Sequence, residues 1–561
     1  MSSVETLLCP AMSTTSIVVR PQPVATTLVV ARERDRDRHV VPLVLPSKTT
    51  IHSLPSEILL DIFERLFDDL RIKCCDCDIT VNEDGSPPVC ARTRDSKHWC
   101  WRACHVLDPT LFPYAPATAC RRWRDILASI PAFWTRIVIC VDSPGPALTL
   151  AKNCLQWSRD ELVHIWITRR KKRLPSQNSV SHEKDKEKDK LSGNMVGECE
   201  RERRAVEGIM RRLAPHLHRC RSIHLNLLYR SSIMAAARSL KGSAPFLQSL
   251  VLNSAVTDTE QTLHADGLRH LECPLLNLLV LDAKTLVDMG RSAPQWLAER
   301  QSRINVELTQ YAPSHGGGLR MSDVIRSLHL ISSIHRLRIR DVAFCDAAGD
   351  TLKQVTWPLH VRELHLEGLR GSAVSDFFAM ADDHFLFTTI TRCQLRGPWH
   401  YLLEGYELRF VGIDDTPGLV DALDAWEGRV LSFERCANLG KTVLHAMAQG
   451  RIEMVNLEIL RIGDCPFSTE DLKRVVRQSW HTDPIRCLQV RSPGVPISTE
   501  DYSWFSSCLN AFDWSSAPMA PISPSEGSAA CSGSGDAQHE EGVDPVDLYG
   551  DEHMLPAYAF E

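Results

Sequence analysis

Leu247-Gln248-Ser249-Leu250-Val251-Leu252 puts apolar side chains at the first, fourth and sixth positions of a short stretch. Leu250 and Leu252, two apart, share one face of an extended strand, and Leu247 lies on the approach to it. One copy carries little information, because leucine-rich chains produce it by chance. This one recurs as Cys220/Ile223/Leu225, Leu276/Leu279/Leu281, Ile334/Leu337/Ile339, Val361/Leu364/Leu366, Ile390/Cys393/Leu395, Leu457/Leu460/Ile462 and Ile485/Leu488/Val490. From Ile223 to Cys393 the middle residues stand 27, 29, 58, 27 and 29 apart, the third interval being twice the second. A gap of 67 then leads to Leu460, with a weaker copy at Val430/Phe433 dividing it, and Leu488 follows after 28.

A period of about 20–29 residues is that of leucine-rich repeats, in which each turn contributes one strand and one return segment. A single turn cannot bury its apolar face alone, so the turns must stack to be stable. The expected fold is α+β: a small N-terminal helical unit, then an α/β leucine-rich-repeat-like solenoid over residues 205–510.

The 561 residues, 43% hydrophobic and 24% charged, have the balance of a globular protein of several domains. No apolar run approaches the length needed to span a bilayer. The N-terminus has no basic stretch leading into an apolar one, so no secretory signal is read there. Twenty cysteines in such a chain are expected to be reduced thiols, which places the protein in the cytoplasm or nucleus. The net charge of −6 is uneven: after Arg491 there is no Lys or Arg but 12 acidic residues. A mildly positive body with an acidic tail is not the footprint of a nucleic-acid binder, and no membrane partner is expected.

Composition sets the remaining boundaries. Residues 1–47, with Arg32-Glu33-Arg34-Asp35-Arg36-Asp37-Arg38, are expected to be a solvated leader. In the connecting segment 141–204, the charged stretch 169–204 is expected to be a linker, because it lacks the apolar area that offsets chain entropy. Residues 511–561 are expected to be an acidic disordered tail. In the first structured region, Ile58, Leu59, Ile62, Phe63, Leu66 and Phe67 draw one broad apolar face on a helix of about three turns. Pro55 suits its first position, and Glu57 complements its dipole. A second helix is expected near residues 118–127, then a short turn from Pro131 and a strand at Ile137-Val138-Ile139.

Leu54-Pro55-Ser56-Glu57-Ile58-Leu59, Cys120-Arg121-Arg122-Trp123 and Pro131-Ala132-Phe133-Trp134, in that order, resemble the F-box. The likeness covers residues 48–140 apart from a cysteine-rich insertion at 71–105, and is nearest to the F-box-like proteins of mushroom-forming fungi. It implies a non-enzymatic substrate-receptor subunit of a cullin–RING ubiquitin ligase. Leu54, Pro55, Ile58, Leu59, Ile62, Phe63, Cys120 and Trp123 would meet the Skp-type linker subunit, and the repeats would hold a substrate protein. Leu54, Pro55, Ile58 and Leu59 are expected to face that partner most openly, and Trp123 to be mainly structural. The alternative is a leucine-rich-repeat scaffold without ligase coupling.

No cofactor is expected. Cys74, Cys77, Cys100 and Cys104, with Cys90, His98 and His105, have zinc-like spacings, but a reduced insertion without metal is the favoured reading. Gly440-Lys441-Thr442 is not a phosphate loop, because Arg435 stands where the motif needs glycine. His539-Glu540 lacks the second histidine of a zinc helix, and Gly316-Gly317-Gly318 lacks the dinucleotide pattern. Arg169–Arg173 reads as solvated linker rather than as an import or phosphate patch.

Overall fold

The recurring stretches become neighbouring rungs of one sheet. The computed structural model describes residues 51, 54–69, 71–73, 99–101, 111–142, 147–170, 188–262, 267–299, 303–313, 318–345, 356–382, 385–397, 399, 403–414, 416–480, 484–491 and 497–515. The chain forms two compact units, Met1–Pro55 and Ser56–Glu561. In the first, the Leu54 N–H donates to the Ile51 carbonyl at 3.4 Å.

The second unit holds a 14-stranded sheet whose strands lie in chain order. They are β1 (Arg136–Cys140), β2 (Val163–Thr168), β3 (Cys220–Tyr229), β4 (Ser249–Val256), β5 (Leu278–Asp282), β6 (Ile304–Thr309) and β7 (Ile334–Arg340). Then follow β8 (Val361–Glu367), β9 (Phe387–Thr391), β10 (Glu407–Val411), β11 (Val430–Glu434), β12 (Ile459–Gly463), β13 (Cys487–Arg491) and β14 (Ala511–Ser515). Every pairing is parallel, for example Leu364↔Leu337 and Leu460↔Leu431. Because registers match, two columns of inward side chains run the length of the stack, apolar but for Thr388 in one of them. One passes through Ile139, Ile167, Leu225, Leu252, Leu281, Leu308, Ile339, Leu366, Ile390, Phe410, Phe433, Ile462 and Val490, each at most 2% exposed.

Return helices cover that face. They include α4 (Ala147–Trp157), α5 (Lys188–Leu213), α6 (Arg230–Ser239), α7 (Ala283–Ser292), α8 (Pro294–Ala298), α9 (Met321–His329) and α10 (Ala373–Met380), followed by α11 (Thr416–Asp424), α12 (His445–Ala448), α13 (Thr469–Ser479) and α14 (Thr499–Cys508). Among the described residues, three two-residue parallel bridges join return segments: Gly242↔Leu271, Trp357↔Ala381 and Leu403↔Trp426. Ahead of the sheet come α1 (Ser56–Asp69), α2 (Tyr114–Ala119) and α3 (Arg121–Ser129).

Six successive strand exits use one device. Asp341, Gly368, Arg392, Gly412, Arg435 and Asp464 all have φ between 51° and 66°. The N–H of each donates to a carbonyl of the following strand at 2.7–2.9 Å, as Gly412 does to Glu434. The left-handed residue turns the chain out of the sheet while continuing its hydrogen-bond ladder.

The repeat reading needs four corrections. The sheet spans residues 136–515 rather than 205–510, so the expected connecting segment supplies β2, and the expected tail begins inside β14. The charged stretch ends in the 26-residue α5, not in a linker; Val206, Ile209, Met210 and Leu213 are buried and anchor it. Within 205–510 two copies were missed: Val306/Leu308 on β6 pair with Leu279/Leu281, and Leu408/Phe410 on β10 pair with Thr388/Ile390. Cys393 is not a middle rung, since Thr388 pairs with Leu364 in that place. Cys393 follows β9 instead, its thiol 3.5 Å from the Leu366 carbonyl and accepting from the Leu369 N–H at 3.4 Å.

Candidate functional site

Six apolar residues make the face of α1 too wide for one interface, and the helix divides it. Leu59, Phe63 and Phe67, spaced at i, i+4 and i+8, are at most 6% exposed. Phe63 meets Trp123 edge-on at 5.3 Å, and Phe67 lies 4.9 Å from Phe133 and 6.0 Å from Phe112. Leu127 and Phe133 complete this core. The adjacent stripe points away: Ile58 is 48% and Leu66 44% exposed, with Ile62 half-buried between them. Residues four apart are neighbours on a helix surface, so the three form a continuous apolar strip. Charged residues border it, among them the Asp61–Arg65 pair at 3.2 Å.

This corrects the expectation that Leu59 faces outward. The helices' own core takes Leu59 and Phe63, and Leu66 occupies the outer strip in their place. Leu66 was legible as an apolar position, but the sequence does not say which half of the face turns inward. Leu54 is half-buried and Pro55 exposed at the end of the first unit. The helix begins at Ser56, one residue after the expected proline start. Cys120 is the N-cap of α3, its sulfur accepting from the Trp123 N–H at 3.4 Å. Trp123 is half-buried, and Arg122 donates to the Ser56 hydroxyl at 3.2 Å.

The helices are fixed to the stack. The Trp134 indole N–H donates to the Leu127 carbonyl at 2.9 Å, and its ring lies 4.4 Å from that of Trp157. The Tyr114 hydroxyl accepts from the Val138 N–H at 2.8 Å and donates to the Arg136 carbonyl at 3.1 Å. It thereby pairs backbone groups on the free edge of β1, which would otherwise be a template for aggregation.

The sheet face away from the helices has two halves. On β1–β5 it is largely uncharged, with Val138, Trp166, His224, Val251 and Val280 at the central position. His164 bonds Ser222 at 2.9 Å and His224 bonds Ser249 at 3.0 Å, either side of the Trp166 ring. Burial, with Arg221, His224 and Arg136 nearby, pushes His164 down to about 3, and burial pushes His224 down to about 4. Both imidazoles are neutral at pH 7.

On β6–β13 the same face is an array of ion pairs. Arg336–Glu363 and Arg338–Glu367 stand at 2.6 Å, Arg409–Glu434 at 2.5 Å, Arg461–Glu407 at 3.2 Å and Arg340–Glu307 at 3.5 Å. Burial opposes ionisation of Glu363, but His365 and Arg336 outweigh it and hold the carboxyl at about 2. A shallow recess between β10 and β13 is lined by Arg409, Ser432, Arg461, Gln489 and Arg491. The missed signal was charge alternating with the apolar rungs, as in Arg336-Leu337-Arg338-Ile339-Arg340.

Below the sheet, Arg230 is fully buried between Asp282 and Asp288, at 3.3 Å from each. Arg169, expected in a solvated linker, pairs with Asp142, Glu198 and Glu202 at 3.3–3.6 Å. Of the cysteine-rich insertion, Arg71–Lys73 and Trp99–Trp101 form an antiparallel pair that sets Ile72 opposite Cys100. Cys74, Cys77 and Cys104 lie outside the described residues, as does the leader 1–47. Among the described residues no cluster of His, Cys, Asp or Glu is arranged to hold a metal, and no helix is long and apolar enough to cross a membrane.

Comparison with protein-family models and with curated proteins found no match. The fold and surfaces define a large parallel-sheet stack preceded by helices, with an outward apolar strip on the first helix and an open sheet face that is largely uncharged over β1–β5 and ion-paired over β6–β13.

Proposed function

We propose that this chain is the substrate-receptor subunit of a cullin–RING ubiquitin ligase. Its first helices act as an F-box that docks a Skp-type linker, and its leucine-rich-repeat-like solenoid holds a substrate protein on the open sheet face. The observation that carries this reading is the strip Ile58–Ile62–Leu66, apolar and outward-facing on a helix whose other stripe is already buried. The order of the Leu-Pro, Cys-Arg-x-Trp and Pro-x-x-Trp segments supports it.

In this mechanism the chain makes and breaks no bonds. Held by one surface to the ligase and by another to its substrate, it converts an encounter in solution into an intramolecular one at high effective concentration. The rigid joint at Tyr114, Trp134 and Trp157 suits that task, since the two surfaces then keep a fixed separation. The ion-paired half of the sheet face suits recognition of a polar protein surface, where paired charges set register more than affinity.

Co-purification with a Skp-type linker tests the proposal. Wild type should elute with the linker as a stoichiometric complex, and Ile58→Ala with Leu66→Ala should weaken it. Failure of the wild-type chain to capture any such linker refutes ligase coupling and leaves the scaffold reading.

A further inference from the structure

Charge on the open sheet face is matched residue by residue over β7 and departs from balance at the recess near the last strands. On β7, Arg336 takes Glu363, Arg338 takes Glu367 and Arg340 takes Glu307. On β10–β13, the registers bring Arg409, Ser432, Arg461 and Gln489 into one row, and Val411, Glu434, Gly463 and Arg491 into the next. Glu434 is shared by Arg409 and the strand-exit residue Arg435, at 2.5 and 3.0 Å. Glu407 takes Arg461 at 3.2 Å, and Arg461 also donates to the Gln489 side-chain carbonyl at 3.1 Å. Arg491 is left over. It is half-buried, yet among the described residues its side chain has neither a hydrogen bond nor an ion pair.

Shape coincides with that surplus. Gly463 has no side chain and Ser432 a short one, so the two floor the recess, and Arg409, Arg461, Arg491 and Gln489 stand around it. Three arginines line it against two glutamates, Glu407 and Glu434. Asp464 follows Gly463 in the chain and Asp513 pairs with Gln489 across the sheet, but neither lines the recess or reaches Arg491 within ion-pair distance. A guanidinium stripped of part of its water without an acidic partner carries an unmet desolvation cost, which an anionic group over Gly463 offsets. Its planar fork fits a carboxylate or a phosphoryl group. The occupant is a protein segment rather than a nucleic acid, because a run of phosphates along this face meets Glu407 and Glu434, then Glu363 and Glu367.

We infer that the recess over Ser432 and Gly463 takes one anionic group, carboxylate or phosphoryl, from a segment of the substrate protein, and that Arg491 holds it. The inference rests on the reading of this sheet face as the substrate-binding surface.

The test probes the full chain on an array of random peptides that carry Asp, Glu, phosphoserine, Asn or Gln at a central position. Peptides with an acidic centre should be retained about tenfold better than those with Asn or Gln, a difference of about 1.4 kcal/mol. The acid retained better, phosphoserine or Asp and Glu, identifies the group. Arg491→Gln should erase the acidic preference and Arg491→Lys should keep part of it. Arg491→Gln should unfold at the wild-type urea concentration, since that side chain has no described partner to lose. No acidic preference in wild type, or an unchanged preference in Arg491→Gln, overturns the inference. Linker capture measured on the same preparations separates the two readings. Capture without acidic preference removes this inference alone, and acidic preference without capture removes ligase coupling alone.

Discussion

The two stripes of α1 separate binding from folding, and their substitution distinguishes the two. Burying an apolar side chain completely contributes about 1.5–3 kcal/mol. Ile58 and Leu66 have 48% and 44% of their surface still exposed. Covering what remains is therefore worth about 1 kcal/mol for each, and about 2 kcal/mol for Ile58→Ala with Leu66→Ala. At 1.4 kcal/mol per tenfold, linker affinity should fall about 30-fold. The double variant should lose about 1–2 kcal/mol of stability, because about half of each side chain is already covered in the folded chain. Leu59→Ala should do the reverse: with the side chain fully buried, it should cost about 2–5 kcal/mol of stability. Isothermal titration against a Skp-type linker and urea unfolding of each variant supply both numbers. If wild type binds and the double variant binds equally well, the strip is not the docking surface.

Other outcomes follow from particular contacts. Tyr114→Phe removes the acceptor of the Val138 N–H, so it should cost about 1–3 kcal/mol in urea unfolding and speed exchange of that amide. Arg230→Ala leaves Asp282 and Asp288 buried beside each other and should lower stability by about 3–5 kcal/mol, measured the same way. His164 and His224 are held neutral, at about 3 and about 4, against an unfolded value near 6.5. The unfolded state therefore binds more protons below pH ~6.5, and stability falls from there as pH drops through the folded values. His224→Asn should flatten the part of that decline above pH ~4, seen as urea midpoints compared at pH 7 and pH 4.5.

The repeat was legible mainly where Leu or Ile filled the middle rung and the period stayed near 28, although Ile137/Ile139 and Ile165/Ile167, 28 apart, were not read as copies. It was lost inside the stack where the middle rung or the period changed. Thr388 replaces the middle leucine of β9, and its polar side chain hid the rung; Ile390-Thr391-Arg392-Cys393-Gln394-Leu395 then mimicked a copy five residues late. The middle rungs Leu364, Thr388, Leu408 and Leu431 stand 24, 20 and 23 residues apart, shorter than the spacing being searched. A parallel strand contributes only two inward side chains here, so one polar substitution halves its signal. In α5 the apolar anchors come late, and charge did not mean exposure: Glu202 is buried, accepting from the Leu228 and Tyr229 N–H groups. For α1, periodicity defined the apolar face but not its division, because that depends on Trp123 and Phe133, far along the chain. The ion pairing on the sheet face was invisible for another reason: Arg336 and Glu363 become partners only once registers are set.

The bridges Gly242↔Leu271, Trp357↔Ala381 and Leu403↔Trp426 bear on the mechanics of the stack. Bridged segments lie about 4.8 Å apart, the pitch of the main sheet, whereas helices lying side by side need about 8–10 Å. Each bridge therefore clamps two successive turns at equal pitch front and back, while turns joined only through helices are wedge-shaped. Elastic strain imposed by a bulky ligand would concentrate at the wedges, and the clamped couplets would move as stiff blocks.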